Sequence, residues 1–169
     1  NMSPHRLCRY SNKKQERGND GKSSDSAREI FGAHTDSTFL TMIPVAAGSG
    51  LEVYDEAAEK WYRPELAAKR HYDRQEVTSE DLPWHSRYVV VMPGEFLQLL
   101  TRQEILAAVH RVVVVTSQSR YSAPILLRGR SGMILDALRY WGRASTPLLR
   151  ECDGKTMEEI HKAMQPTQQ

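Results

Sequence analysis

Residues 29–43, EIFGAHTDSTFLTMI, decide the fold of this chain because two β-prone runs flank a polar corner, HTDS at 34–37. Isoleucine, phenylalanine, threonine and leucine predominate in both runs, and such side chains suit the pleated, half-buried surface of a strand. We therefore predict one strand at 29–34 and a second at 38–43, with the polar corner between them.

The same pattern continues on both sides of this stretch. We predict six further strands, at 5–10, 50–54, 87–92, 95–100, 108–115 and 119–127. Turn residues, and not helical segments, separate most of these strands, which is typical of a closed or two-sheet antiparallel architecture. The sequence therefore predicts a mainly β fold of jelly-roll type with a few flanking helices.

Three segments outside the strands favour helices. Pro64 suits the first turn of a short helix. Ser131 is predicted to cap a helix that contains MILDALRYW. Thr156 begins the sequence TMEE, a capping box that predicts a C-terminal helix.

The chain is predicted to form a single domain over residues 1–169. Its β core spans about 5–128 and contains a polar loop at 11–27, because residues 11–26 carry no aliphatic or aromatic side chain that a core could bury. A helical tail follows at 129–169.

Composition narrows the class of function. The chain has 169 residues, and 23 basic against 21 acidic side chains give a net charge of +2. This balance provides no electrostatic basis for binding nucleic acid or an acidic membrane surface. The two cysteines, Cys8 and Cys152, lie too far apart in sequence for a disulfide framework or a thiolate metal motif. We expect a reducing, cytoplasmic location and neither a nucleic-acid nor a membrane partner.

His34 and Asp36 stand two residues apart at the end of the predicted strand 29–34. Side chains at positions i and i+2 of a strand leave the same face, so this imidazole and this carboxylate could both bind one metal ion. On its own, such a pair is more often a polar strand end at the surface.

His110 lies in AAVHRVVVV, residues 107–115, on the same strand face as Ala108 and Val112. On its own, a histidine on an apolar inner face is more often a buried core residue than a ligand. A barrel can nevertheless bring this strand beside the first one. Two imidazoles and one carboxylate would then cover one face of an octahedral metal, a donor set that suits non-haem Fe(II) enzymes that activate O₂.

Arg120 and Ser122 share one face of the next predicted strand. A guanidinium fork beside a hydroxyl makes a good receptor for a carboxylate. A surface ion pair with an unrelated strand serine is the alternative in isolation. Proximity to two metal ligands would favour the receptor.

These pieces, in this order, resemble the iron- and 2-oxoglutarate-dependent oxygenases, specifically the isopenicillin N synthase-like family that includes plant hormone and flavonoid oxygenases. The resemblance covers about Arg6 to Leu127. It rests on six segments in the family's order: RLCRY, GAHTD with TFLTMI, GLEVYD with a following Trp61, VVVMPGEFLQLLT, VHRV and RYSAP.

The resemblance implies a double-stranded β-helix and assigns roles to particular residues. His34, Asp36 and His110 would bind Fe(II). Arg120 and Ser122 would hold the distal carboxylate of the co-substrate 2-oxoglutarate, and a hydrogen bond to the co-substrate would come from Tyr10. Ascorbate is a further cofactor to consider. Gly94 and Glu95 would form a strand-connecting turn, and Gln98 and Trp61 would serve mostly in packing.

The activity implied is the hydroxylation or other oxidation of a small organic substrate with O₂, with release of succinate and CO₂. Two alternatives stay open: an oxidase of the isopenicillin N synthase or ethylene-forming type, which does not consume 2-oxoglutarate, and a non-catalytic β-helix binding protein. Family members are commonly near twice this length, so we expect that an N-terminal family region is missing. The resemblance predicts neither the substrate nor the oligomeric state.

Overall fold

The computed structural model describes residues 6–10, 28–75, 82–114 and 119–164. The predicted polar loop at 11–27 lies outside the described residues. Within them the strands are β1 Cys8–Tyr10, β2 Arg28–His34, β3 Leu40–Pro44, β4 Leu51–Asp55, β5 Lys60–Tyr62, β6 Val89–Pro93, β7 His110–Val114, β8 Arg120–Ser122 and β9 Ile125–Leu127.

These strands form three antiparallel sheets. One sheet has the order β2-β7-β4-β5, a second the order β6-β3-β9, and β1 pairs with β8. Buried Ile43 and Met92 of the second sheet pack against Leu51 and Val53 of the first. The architecture confirms the predicted mainly β fold of jelly-roll type.

The helices are α1 Pro64–Asp73, α2 Glu95–Leu100, α3 Ala137–Trp141, α4 Pro147–Glu151 and α5 Met157–Met164, with short 3₁₀ turns at Trp84–Arg87 and Gly142–Ala144. Two helix predictions are confirmed. Pro64 occupies the first turn of α1. At α5 the Glu159 amide donates to the Thr156 hydroxyl at 3.2 Å, and the Glu159 carboxylate accepts from the Thr156 amide at 2.8 Å, which is a reciprocal capping box.

The predicted strand at 95–100 is wrong, since these residues form helix α2. Gly94 precedes the helix, so the predicted strand-connecting turn at Gly94 and Glu95 is a strand-to-helix turn. Phe96 and Leu99, three residues apart, both lie in the core and face the same side. Glutamate, leucine and glutamine are also good helix formers. The strand was predicted because a short apolar run fits a buried strand as well as a helix.

Two other predictions need correction. Asp136, and not Ser131, caps α3: its carboxylate accepts from the Arg139 amide at 3.0 Å, while the Ser131 hydroxyl donates to Glu158. The predicted strand 119–127 is two strands, because the chain turns between β8 and β9 at Pro124, which has no amide hydrogen for a ladder. Strand β5 was not predicted.

The C-terminal helices cover one side of the β core. Phe96 of α2 packs with a buried cluster from the C-terminal part of the chain, whose members are Leu135, Ala137, Leu149, Cys152, Met157 and Ile160. Among the described residues, the helices are all too short or too polar to cross a bilayer. The division into one domain over 1–169 stays a prediction.

Candidate metal centre

The pairing of β2 with β7 brings the two predicted histidine ligands together. His34 is the last residue of β2, His110 is the first of β7, and the two are direct partners in the antiparallel register. Their ring centroids lie 4.2 Å apart. The register shifts between Phe31 and His34, so β2 carries a bulge immediately before the histidine. Such bulges re-aim side chains at the ends of strands, as here.

The Asp36 carboxylate faces both imidazoles. The Nε2 atom of His34 is 3.8 Å from one carboxylate oxygen, and the Nε2 atom of His110 is 3.7 Å from the other. One donor atom from each of the three residues lies within 4.8 Å of the others. Two atoms bound at about 2.1 Å to one ion can be at most about 4.2 Å apart, so both measured distances are compatible with a shared ion.

Backbone carbonyls fix the tautomer of each imidazole. The Nδ1 atom of His34 lies 2.8 Å from the Gly32 carbonyl oxygen, and Nδ1 of His110 lies 3.1 Å from the Ala108 carbonyl oxygen. A carbonyl only accepts, so both Nδ1 atoms carry the hydrogen. Both Nε2 lone pairs therefore face Asp36, as metal ligation by histidine requires.

The pKa of His110 is shifted in the direction that keeps it a ligand. Burial lowers this pKa, with a smaller lowering contribution from His34, whereas the Ala108 carbonyl and Asp36 oppose the change. A neutral imidazole is the metal-binding form, since protonation occupies the lone pair.

The corner that carries Asp36 is held by hydrogen bonds and by close packing. The Thr41 hydroxyl donates to the Asp36 carboxylate at 2.6 Å. The Glu95 amide donates to the Asp36 carbonyl at 2.8 Å, and the Glu95 carboxylate accepts from the Thr35 hydroxyl at 2.6 Å. A Cβ atom on Gly94 would stand 2.3 Å from the Thr38 carbonyl oxygen, so the corner can lie this close only on a glycine.

The three metal-ligand candidates line a cavity of about 380 Å³ together with Arg120, Ser122 and Tyr10. Arg120 and Ser122 are both buried, at 4% and 6% exposure. They lie on β8, whose partner β1 supplies Tyr10 directly opposite Arg120. All six predicted site residues therefore surround one space.

Tyr10 keeps its hydroxyl hydrogen at neutral pH. Burial, with a hydrogen bond and charge from Cys8, raises the pKa of Tyr10 to about 12, although Arg120 and Arg6 act in the opposite direction. The guanidinium carbon of Arg120 lies 5.5 Å from the centre of the Tyr10 ring. The cavity therefore presents a hydroxyl donor beside a cation.

The Arg120 guanidinium already has an internal partner, which the sequence did not indicate. Its Nε donates to the Glu65 carboxylate at 3.0 Å, and its Nη2 donates to the same oxygen at 2.5 Å. Glu65 is the second residue of helix α1 and is only 1% exposed. The predicted carboxylate receptor thus holds a carboxylate of this chain.

Trp61 has the packing role predicted for it, whereas Gln98 acts through a hydrogen bond. The Gln98 side-chain oxygen accepts from the Ala107 amide at 2.7 Å and so fixes the segment before β7. Arg111 stacks over the Trp61 ring at 4.1 Å.

Sequence reasoning missed two residues at this site, Glu65 and Thr41. Thr41 could have been found, because it interrupts the apolar strand at 38–43 with a hydroxyl that needs a partner. Glu65 gave no such signal, since glutamate after proline is ordinary in a first helical turn.

The family model of the 2OG-Fe(II) oxygenase superfamily matches residues 2–129. The match covers well over half of the 169 residues, and the chain belongs to this superfamily. The resemblance on which the sequence analysis relied is thereby confirmed. No curated protein sequence matches the chain significantly.

Solved structures share the fold. The dioxygenase for auxin oxidation of rice is 21% identical with a TM-score of 0.54, and the match covers 94% of this chain and 45% of that one. A full-length Neurospora crassa protein in complex with alpha-KG is 19% identical with a TM-score of 0.53, and the match covers 95% of this chain and 46% of that one. Dioxygenase for auxin oxidation 1 of Arabidopsis thaliana, in a 2-oxoglutarate complex, is 19% identical with a TM-score of 0.51. The match covers 76% of this chain and 39% of that one. The chain therefore spans less than half the length of these structures.

Proposed function

We propose that this chain carries a non-haem Fe(II), 2-oxoglutarate-dependent oxygenase activity that oxidises a small organic substrate with O₂ and yields succinate and CO₂. The observation that carries the proposal is the convergence of His34, Asp36 and His110 in a cavity that Arg120 and Ser122 also line. Membership of the 2OG-Fe(II) oxygenase superfamily supports the choice of metal and co-substrate.

His34, Asp36 and His110 would hold the iron through two Nε2 atoms and one carboxylate. Bound iron supplies the electron transfer and O₂ chemistry that amino acid side chains lack. Three protein ligands leave coordination positions open for other molecules. The donor set fits this role because both lone pairs are preset by the Gly32 and Ala108 carbonyls.

The remaining cavity residues would bind and shield the reacting molecules. Arg120 and Ser122 would receive the distal carboxylate of 2-oxoglutarate. The Tyr10 hydroxyl would donate a hydrogen bond to the co-substrate. Buried Ile43, Leu51 and Val112 also line the cavity. These apolar walls lower the local dielectric constant, which strengthens the polar contacts beside them.

A second candidate is an oxidase that does not consume 2-oxoglutarate. The contact between Glu65 and Arg120 favours it, because that guanidinium is already neutralised within the chain. Measurement of succinate release against O₂ uptake separates the two, since only the first activity produces succinate.

The test uses the full chain loaded with Fe(II), supplied with 2-oxoglutarate and O₂ and a panel of small organic substrates. We expect succinate from the wild type and none from Asp36→Ala, because the carboxylate ligand is gone. Asp73→Ala, which removes an exposed carboxylate paired with Lys69, is the control and should match the wild type. Wild-type succinate production by Asp36→Ala would refute the ligand assignment.

We also propose a small-molecule substrate, no nucleic-acid or membrane partner, and a cytoplasmic location. The nearly balanced charge and the two free cysteines support these expectations. Ascorbate is kept as a further cofactor to test in the same assay.

A further inference from the structure

We propose that Glu65 is a positioning residue that lowers the affinity of Arg120 for the co-substrate by neutralising its guanidinium from behind. The proposal rests on the proposed function, since it concerns how 2-oxoglutarate binds. It adds a residue from helix α1 that takes no part in metal binding.

The contact between the two residues is a fully buried ion pair. Glu65 is 1% exposed and Arg120 is 4% exposed. One carboxylate oxygen of Glu65 accepts from both Nε and Nη2 of Arg120. Charges removed from water in this way interact more strongly than surface pairs, which are screened.

The backbone holds Glu65 in place independently of any ligand. Its second carboxylate oxygen accepts from the Gly50 amide at 2.6 Å and the Leu51 amide at 3.0 Å. A Cβ atom on Gly50 would lie 2.7 Å from Cδ of Arg120, so the glycine allows the arginine to pack against this backbone. Glu65 therefore has four hydrogen-bond donors, two of them from the backbone.

Arg120 separates Glu65 from the cavity. Arg120 lines the cavity and Glu65 does not. Glu65 engages Nε and Nη2, which leaves the Nη1 side of the fork for another acceptor. A carboxylate that binds the Nη1 side would not displace Glu65, and it would meet repulsion from Glu65 together with attraction to Arg120.

A comparison of two ligands isolates this effect from any general effect on folding. 2-Oxoglutarate and 2-oxopentanoate have the same five-carbon chain and the same 2-oxo acid end, but the second has a methyl group in place of the distal carboxylate. The ratio of their affinities measures what Arg120 and Ser122 together contribute to binding the distal carboxylate. A purely structural role of Glu65 would change both affinities alike and leave the ratio constant.

The experiment is calorimetric titration of both ligands into the full chain loaded with Fe(II), without O₂. In the wild type we expect 2-oxoglutarate to bind less than about tenfold more tightly than 2-oxopentanoate. In Glu65→Gln, which keeps the side-chain shape and removes the charge, the ratio should rise to about a hundredfold or more.

Glu52→Gln is the matched control. Glu52 is also buried, at 6% exposure, and bonds two arginines, Arg63 and Arg111, at 2.9 and 2.8 Å. None of the three lines the cavity. The ratio of the two affinities in Glu52→Gln should equal that in the wild type.

Two results overturn the inference: a wild-type ratio of about tenfold or more, or a ratio in Glu65→Gln no higher than that of the wild type. The wild-type ratio decides the question even if Glu65→Gln does not fold. If either of these two results is found while both 2-oxo acids still bind tightly, the inference about Glu65 fails but the proposed function stands. If neither 2-oxo acid binds to any variant, the proposed function fails and this inference fails with it.

Discussion

Two regions of one cavity satisfy their polar groups in opposite ways. At the metal corner, formed by His34, Asp36 and His110, backbone carbonyls engage the far nitrogen of each imidazole and leave the lone pairs facing inward. At the arginine side, formed by Arg120 and Ser122, the cation already has a buried counter-ion, Glu65, which lies outside the cavity lining. The first region is prepared for a ligand, whereas the second is stable without one. Burial alone therefore does not show which polar groups await a ligand.

The largest expected effect is at the metal corner. His110→Ala should reduce iron binding from about one ion per chain to none detectable, because two remaining ligands hold Fe(II) poorly. Equilibrium dialysis with metal analysis measures this. His71→Ala removes an exposed histidine bonded to Tyr88 and should bind iron like the wild type. Unchanged iron binding in His110→Ala would remove the distinction between the two regions.

A substitution at the arginine side should instead change the free energy of unfolding. Glu65→Gln leaves Arg120 buried without a counter-ion, which costs about 3–5 kcal/mol in the free energy of unfolding. Urea denaturation measures the change. Added 2-oxoglutarate should restore part of the loss, since its carboxylate replaces the missing charge. A loss below about 1 kcal/mol would mean that the pair behaves like a surface ion pair.

A smaller effect is expected from the support of Asp36. Thr41→Val keeps the volume but removes the hydroxyl that donates to the carboxylate, so the dissociation constant for iron should rise about 10–100-fold. Thr101→Val is the control, because that hydroxyl bonds the Leu97 carbonyl away from the metal corner. Equal iron affinity in Thr41→Val and the wild type would show that packing alone positions Asp36.

The smallest effect belongs to helix α5, outside both regions. Thr156→Ala should lower the free energy of unfolding by about 1 kcal/mol through loss of the cap, without change in iron affinity. The Thr156 amide and hydroxyl lower the pKa of Glu159 below its ordinary 4.5. The folded state therefore gains stability above pH 4.5 that disappears as the pH falls through the lowered value. In thermal melts from pH 6 to 3, the melting temperature of Thr156→Ala should fall less steeply than that of the wild type.

The metal corner could be predicted from the sequence because local rules and one long-range pairing suffice. His34 ends β2 and Asp36 lies two residues beyond it, and His110 joins them through the antiparallel pairing of β2 with β7. The bulge before His34 could not be predicted, since it depends on how β2 meets β7. Helix α2 was mistaken for a strand because its short apolar run fits both periods.

The arginine side could be predicted only in part. Arg120 and Ser122 were predicted to form a carboxylate receptor, and both line the cavity. Their internal partner, Glu65, lies 55 residues from Arg120 in sequence. Its side chain reaches Arg120 only because α1 packs beside β4, and no local pattern encodes that placement. Assignment of Arg120 to the co-substrate carboxylate stays a prediction.

Gly94 has a consequence for attempts to redesign this protein. The main chain of the Asp36 corner rests directly on this residue, with the Thr38 carbonyl oxygen where any side chain would begin. Randomised libraries aimed at a new substrate can therefore vary cavity residues outside the metal corner and the arginine side but should leave position 94 untouched. Even alanine there would push the segment that carries Asp36 away from the two histidines.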